Sequence, residues 1–338
     1  MQSPLSCSVL TALLIALIPA TSGAAGSAAF SDVPPSSPHF QAVEYLKEKG
    51  ILRGYDDGTF RPGDRIGRAE SLKVILAPLL STPETVHSPF SDVPDGAWFA
   101  PFVEYARTNG IVAGPPERTA FRPADPVKEA EFLKMFFLAQ GVQPSTAFSD
   151  LPLPLASDVH PADWYFPLLR YALASSMIMV DAGGHLSPGA ELTRGDVALL
   201  LHRFFMYKEG RRTQALLSEA ESEVMSAVRM MDQKQVEQAE YASARSLVAA
   251  RGALAGNPES AVVKGAVKIT EGFHSIIQAY RAGTEGRLDD VISRSKEAWA
   301  TAQRAREFSP SLEKLSAQMQ SIAKGMADDA RELKGRAS

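Results

Sequence analysis

The sequence predicts a mostly α-helical protein: a pseudo-threefold module of three helix–loop–helix repeats, followed by an antiparallel α-helical bundle or coiled-coil-like domain. Three observations carry this reading. Phe30-Ser31-Asp32-Val33 recurs as Phe90-Ser91-Asp92-Val93 and as Phe148-Ser149-Asp150-Leu151, at intervals of 60 and 58 residues, and self-similarity at a fixed period marks a repeat architecture. From residue 208 onward apolar residues recur at spacings of three and four, the period of a helix. Only Pro258 and Pro310 interrupt that second region. A length of 338 residues accommodates two or three domains.

Residues 1–29 read as a secretory signal peptide. Val9 to Ala20 is nearly all apolar, breaks at Pro19 and is followed by small residues from Thr21 to Ala29. At ~12 residues the run is too short to span a bilayer, which needs ~20, and no other stretch reads as a transmembrane span. The mature chain is expected to begin between Ala25 and Phe30. It would then hold no cysteine, because Cys7 is the only one. That excludes a disulfide framework and a cysteine-based metal site.

The repeats are expected at 30–86, 87–145 and 146–207. Asp32 to Gly50 and Asp92 to Gly110 both span 18 residues, whereas Asp150 to Ser176 spans 26. The third copy therefore reads as carrying an eight-residue insertion, supplied by the Pro-rich run Leu151 to Pro161. Phe60-Arg61-Pro62, Phe121-Arg122-Pro123 and Leu186-Ser187-Pro188 come next. Six residues past each Pro stand Arg68, Glu129 and Arg194, and two further on Glu70, Glu131 and Asp196. In the second copy Pro101, Phe102, Tyr105 and Ala106 have helical spacing, and Gly110 is a stop that accepts a left-handed cap. A second helix runs from Glu129 to Gln140, with Ala130, Leu133, Phe136 and Phe137 on its apolar side. One such helix pair cannot bury its own face, but three around a common axis can.

These motifs resemble the S-layer homology family, modules that fix exported proteins to the bacterial cell wall. The last motif stands here as Ile66-Gly67-Arg68-Ala69-Glu70, Val127-Lys128-Glu129-Ala130-Glu131 and Leu192-Thr193-Arg194-Gly195-Asp196. The resemblance covers residues 30–207. It implies a three-pronged helical module whose inter-repeat grooves hold an anionic cell-wall polysaccharide or a peptidoglycan-linked glycan, and a location in the cell wall or envelope. Carried over position by position, Arg68 and Arg194 would take the anion through a guanidinium fork aided by a helix start. Trp98 and Trp164 would be aromatic platforms, Asp32, Asp92 and Asp150 would fix the loops, and Gly54 and Gly114 the turns. The second repeat departs with Glu129 in place of Arg, where Lys128 is the candidate replacement cation. The first has His39-Phe40 where tryptophan is usual, and the third has Ser176 and Val180 in place of the turn glycines.

Residues 208–338 read as the helical bundle domain. The apolar stripe from Lys208 to Ala255 suggests one long helix, with Gly252 and Gly256 as its expected break, since each Gly costs ~1 kcal/mol in a helix interior. Further stripes run from Val263 to Tyr280, from Leu288 to Ala302 and from Leu312 to Leu333. A partner helix or a second copy of the chain is the expected occupant of any exposed apolar stripe. Asn257-Pro258 and Ser309-Pro310 also fit the turns of tetratricopeptide-like hairpins, but their 52-residue interval is far from the ~34 of that repeat.

Composition narrows the function. Thirty-five Lys and Arg against 39 Asp and Glu, net −4, argue against nucleic-acid binding through a basic face. No nucleophile–base pair, metal cluster, phosphate loop or cofactor motif stands out, so neither a cofactor nor a metal is expected. The sequence-based reading is a non-enzymatic envelope protein with a wall-binding head and a helical spacer or interaction domain. The rivals are a wall-acting enzyme with such an anchor, and an envelope adaptor built of helical hairpins.

Overall fold

The computed structural model describes residues 28–80, 86–114, 116, 118–151 and 153–337. Apart from its last two positions the expected signal peptide, with Cys7, lies outside the described residues. Those residues form eleven α-helices and one short 3-10 turn, with isolated β-bridges but no sheet among them. The repeats contribute α1 (Phe40–Glu48) and α2 (Arg68–Leu76), α3 (Ala100–Thr108) and α4 (Glu129–Ala139), and α5 (Phe166–Ala174) and α6 (Arg194–Lys208). The remainder is α7 (Thr213–Asp232), α8 (Val236–Gly256), α9 (Ala261–Thr284), α10 (Leu288–Phe308) and α11 (Glu313–Ala337), with the 3-10 turn Pro310–Leu312 before the last.

The repeats interlock cyclically. The second helix of each packs on the first helix of the next: α2 on α3, α4 on α5, and α6 back on α1. At the centre three backbone hydrogen bonds close a ring. Ile66 N–H donates to Leu192 O (3.1 Å), Val127 N–H to Ile66 O (3.1 Å) and Leu192 N–H to Val127 O (3.0 Å). These are the equivalent apolar residues of the three helix-start motifs, and all are buried. Phe132, Phe136, Phe137 and Phe204 fill the core beside them, with the Phe136 and Phe204 rings edge to face at 4.8 Å.

Each loop is fixed by one carboxylate. Asp32 accepts from Phe60 N–H (2.7 Å) and Arg61 N–H (2.6 Å), and Asp92 from Phe121 N–H (2.8 Å) and Arg122 N–H (2.7 Å). In the third repeat the same two bonds, from Leu186 N–H (3.1 Å) and Ser187 N–H (2.7 Å), go to Asp158, not to Asp150. The expected place of Asp150 is thus corrected. The repeat begins at Ala156-Ser157-Asp158-Val159, and Asp158 to Ser176 spans the regular 18 residues. The extra residues precede the repeat rather than interrupt it. Buried Arg170 holds them by donating to the carbonyls of Ala147 (3.2 Å), Pro144 (3.4 Å) and Leu151 (3.4 Å). Asp150 instead pairs with Arg251 of α8.

The corrected register also explains the missing turn glycine. A Cβ on Gly54 would stand 2.1 Å from the Phe30 ring, and one on Gly114 would stand 3.4 Å from the Phe90 ring and 2.9 Å from the Arg107 side chain. The third repeat carries Ala156 where the others carry Phe, and Val180 where they carry Gly, so bulk moves from one partner to the other. At the other glycine position Ser176 adopts the left-handed conformation of Gly50 and Gly110 (φ 55° against 69° and 69°). Its hydroxyl is held by Glu219 and Arg212.

Helices α7 to α11 pack each against the next, and the short connections make neighbours antiparallel. The expected long helix does break, but at Gln233–Gln235, where Lys234 takes φ 61°. Gly252 is no break. It lies within α8, and its missing Cβ lets that helix approach α5 so closely that a Cβ would fall 1.7 Å from Ala174 O. The helix-propensity cost is outweighed by the contact. Leu247 and Val248 of α8 belong to the core of the repeats, and buried Arg245 donates to Leu155 O (2.7 Å) while forking onto Glu223 (2.8 Å twice). The expected boundary near 208 is therefore crossed by a continuous core.

Two stability measurements check this packing. Gly252→Ala adds about 1 kcal/mol of helix propensity but forces a backbone clash, so a net loss of about 1–3 kcal/mol is expected in guanidinium denaturation. Gly325→Ala in α11, where nothing lies within 4 Å of the added carbon, should instead stabilise. Asp158→Ala should cost about 1–3 kcal/mol by orphaning two amides. Asp150→Ala, which removes an exposed ion pair, should cost under ~1 kcal/mol.

Candidate functional site

Because the helices are exchanged cyclically, each groove is built by two repeats: the second helix of one and the loop and first helix of the next. The helix starts are themselves occupied. Arg68 and Ala69 N–H donate to Asp125 O (2.9 Å) and Pro123 O (3.0 Å), Glu129 and Ala130 N–H to Ala190 O (2.9 Å) and Pro188 O (3.0 Å), and Arg194 and Gly195 N–H to Asp64 O (2.9 Å) and Pro62 O (2.9 Å). The second acid of each motif caps its own helix: Glu70, Glu131 and Asp196 accept from Gly67, Lys128 and Thr193 N–H at 3.1, 3.5 and 2.9 Å. The expectation that the helix starts themselves favour an anion is overturned, because their first amides are spent on the neighbouring loops.

The first groove, between repeats one and two, has the fullest set. The Arg68 guanidinium lies 5.2 Å from the Phe121 ring centroid and 3.8 Å from the Glu131 carboxylate, and makes no hydrogen bond among the described residues. Lys73, one turn and a half further along α2, places its ammonium 5.1 Å from the centre of the Trp98 ring. Trp98 is 52% exposed and so stands outside the core. Gly114 sits in the turn behind this groove.

The second groove keeps the tryptophan and the lysine and lacks the arginine. Lys134 stands 5.5 Å from the ring of Trp164, itself 57% exposed. Glu129, in the position of Arg68, is half-buried, and its Oε1 has no partner. Burial, reinforced by the charges of Asp196 and Asp158, lifts its carboxyl to about 7. Lys128 does not take the position of Arg68. It is the exposed residue before α4, equivalent to Gly67 and Thr193.

The third groove keeps the cation and loses the platform. Arg194 donates from Nε to Phe60 O (2.9 Å) and from Nη2 to Arg53 O (3.2 Å), and its guanidinium lies 4.8 Å from both the Tyr55 and Phe60 rings. Two of its donors are thus committed to a loop that also contains Gly54. Pro38 occupies the place of Trp98, with His39 next to it, and Leu199 the place of Lys73.

Sequence reasoning missed Lys73 and Lys134. Lys73 stands in repeat one and its Trp98 in repeat two, Lys134 in repeat two and its Trp164 in repeat three, so neither contacting pair lies within one copy; the exchange of helices brings them together. It also missed Asp158, whose signal was the 18-residue distance to Ser176. Among the described residues no group of three His, Cys, Asp or Glu is arranged to hold a metal ion, and no helix is long and apolar enough to cross a membrane.

Glu129 makes a pH prediction. With a native pKa of about 7 against 4.5, the folded chain holds this proton more firmly, so stability should fall as pH rises from about 4.5 to 7, by up to about 3 kcal/mol. Glu129→Gln should remove that loss and be the more stable protein at pH 8, with the advantage gone at pH 4, as read from guanidinium midpoints.

Residues 29–70 and 89–133 match the S-layer homology domain. The chain is 26% identical over 191 residues to the S-layer protein sap of Bacillus anthracis, an alignment covering 56% of this chain and 22% of that protein. It is 29% identical over 150 residues to an S-layer protein of Bacillus thuringiensis subsp. finitimus, covering 42% and 18%. It is 31% identical over 116 residues to a cellulosome-anchoring protein of Acetivibrio thermocellus, covering 33% and 26%. The chain thus spans about a quarter or less of the length of these relatives. The matched segments form the first two units of the closed ring, so the chain carries an S-layer homology domain and is similar over it to S-layer proteins.

Proposed function

We propose that this chain binds an anionic cell-wall glycan, a secondary polymer or a peptidoglycan-linked polysaccharide, and holds a helical domain at the cell surface without doing chemistry of its own. The observation that carries the reading is the seam between repeats one and two, which carries a guanidinium with no hydrogen bond among the described residues and, separately, a lysine set over an open indole face. A guanidinium forks onto carboxylate or phosphate, and an indole face packs against the C–H edges of a sugar ring. In this reading Arg68, Lys73 and Trp98 make the principal contacts. Trp164 with Lys134 offers a second, weaker platform, and Arg194 chiefly ties repeat three to repeat one. Asp32, Asp92 and Asp158 hold the loops that shape the grooves. Residues 28–207 act as the wall-binding head and residues 208–337 as the domain it carries.

Co-sedimentation with purified sacculi tests this. Arg68→Ala should weaken binding about tenfold or more, since a charge-assisted contact is worth ~1.5–3 kcal/mol, with circular dichroism unchanged. Trp98→Ala should act similarly, Arg194→Ala should lower stability more than affinity, and extraction of the secondary polymer from the sacculi should abolish the signal. Undiminished binding by folded Arg68→Ala and Trp98→Ala chains would defeat the assignment.

A further inference from the structure

A second surface, far along the chain from the repeats, has the chemistry of a binding site. Trp299 of α10 leaves 43% of its surface exposed, although a tryptophan on a bundle helix gains by burial. It lines a groove between α10 and α11 together with Lys296, Lys324 and Arg331. Ala323 and Ala327 on the facing helix are small enough to leave the groove open. Lys296 and Lys324 are exposed and have no ion-pair partner among the described residues. Of the acids adjoining these residues in sequence, Glu297 pairs with Arg294 at 3.1 Å and Asp328 with Arg331 at 2.6 Å.

Ser295 provides an independent sign. It lines the same groove, is 1% exposed, and its hydroxyl has no hydrogen-bond partner. A buried hydroxyl left unpaired has a cost that folding ordinarily avoids, and this one borders a groove lined by an indole and two lysines without ion-pair partners among the described residues. Within a helix the hydroxyl has a ready alternative in a backbone carbonyl of the preceding turn, which it does not use.

We propose that the groove formed by Trp299, Lys296, Lys324, Arg331 and Ser295 is a binding site for an anionic saccharide bearing a carboxylate or phosphate. The indole face stacks on the sugar ring, Lys296 and Lys324 meet the anionic group, and Ser295 pairs with a ring substituent. The assignment does not depend on the repeat grooves. If both sites bind, the chain contacts an acidic polymer at two points, and the second contact benefits from a raised effective concentration.

The test uses the full chain carrying Arg68→Ala and Trp98→Ala, so that a failure of the first-groove reading and a failure of this one stay separate. The indole N–H resonance of Trp299, assigned by its loss in Trp299→Phe, is followed while tetragalacturonate, a phosphorylated mannose oligosaccharide or neutral cellotetraose is added. The resonance should shift with an anionic probe and not with cellotetraose, and a response to one anion only identifies whether carboxylate or phosphate is preferred. Lys296→Gln combined with Lys324→Gln should weaken the response at least about tenfold, and added salt should weaken it further. No shift with either anionic probe at millimolar concentration, an equal shift with cellotetraose, or full binding by the folded double-lysine variant would overturn the assignment.

Discussion

Three backbone hydrogen bonds at the centre of the repeats, linking Ile66, Val127 and Leu192 in a closed circle, set the conditions for the rest of the head. Each is worth only about 1 kcal/mol net, but breaking one strands a donor and an acceptor among buried side chains, at a cost of about 1–3 kcal/mol. Closure also fixes the order in which the helices follow one another. Once Ile66 is bonded to both neighbours, α2 emerges toward repeat two, and the next two amides of the helix find carbonyls there. The same events occur in the other two repeats. A local sequence of five residues thereby specifies a contact between units some sixty residues apart.

The grooves inherit this arrangement. Because every groove takes its cationic helix from one repeat and its aromatic and loop residues from the next, a substitution in one copy alters half of a groove and leaves the other half intact. Glu129 stands where its counterparts are arginines and leaves Lys134 as the cation beside Trp164, while Pro38 takes the place of the indole in the groove of Arg194. Only the groove that joins Arg68 and Lys73 to Trp98 retains both halves. The unpartnered Glu129 carboxyl is tolerated because it can hold a proton near neutral pH, where an ionised group in that position would lack any counter-charge.

Much of the helical content was legible from periodicity and stop signals, since α3 ending before Gly110 and α4 starting at Glu129 depend on local chemistry alone. Two features were not. Phe148-Ser149-Asp150-Leu151 copies the opening motif, but its aspartate is out of reach of the loop amides, and only the distance to Ser176 separates it from the functional Asp158. Gly252 reads as a helix breaker by propensity, yet what decides its role is a helix packed across it, a tertiary contact no window of sequence displays. The site was half legible for a related reason. Arg68, Trp98 and their equivalents could be placed by motif, whereas pairing Lys73 with Trp98 required the cyclic exchange of helices.

The seating of α8 on the third repeat has a mechanical meaning. Gly252 against Ala174, Arg245 on Leu155 and Arg251 with Asp150 seat α8 on the third repeat and on the residues that lead into it. Tension applied through the C-terminal helices therefore enters the repeats along α6, which leads directly into α7, and across α8 at α5 and the residues preceding Asp158. From there it reaches the central ring, which has no free end and divides the load between both neighbours. A tether built this way resists peeling, because no single repeat can be pulled away without shearing two hydrogen-bonded seams at once.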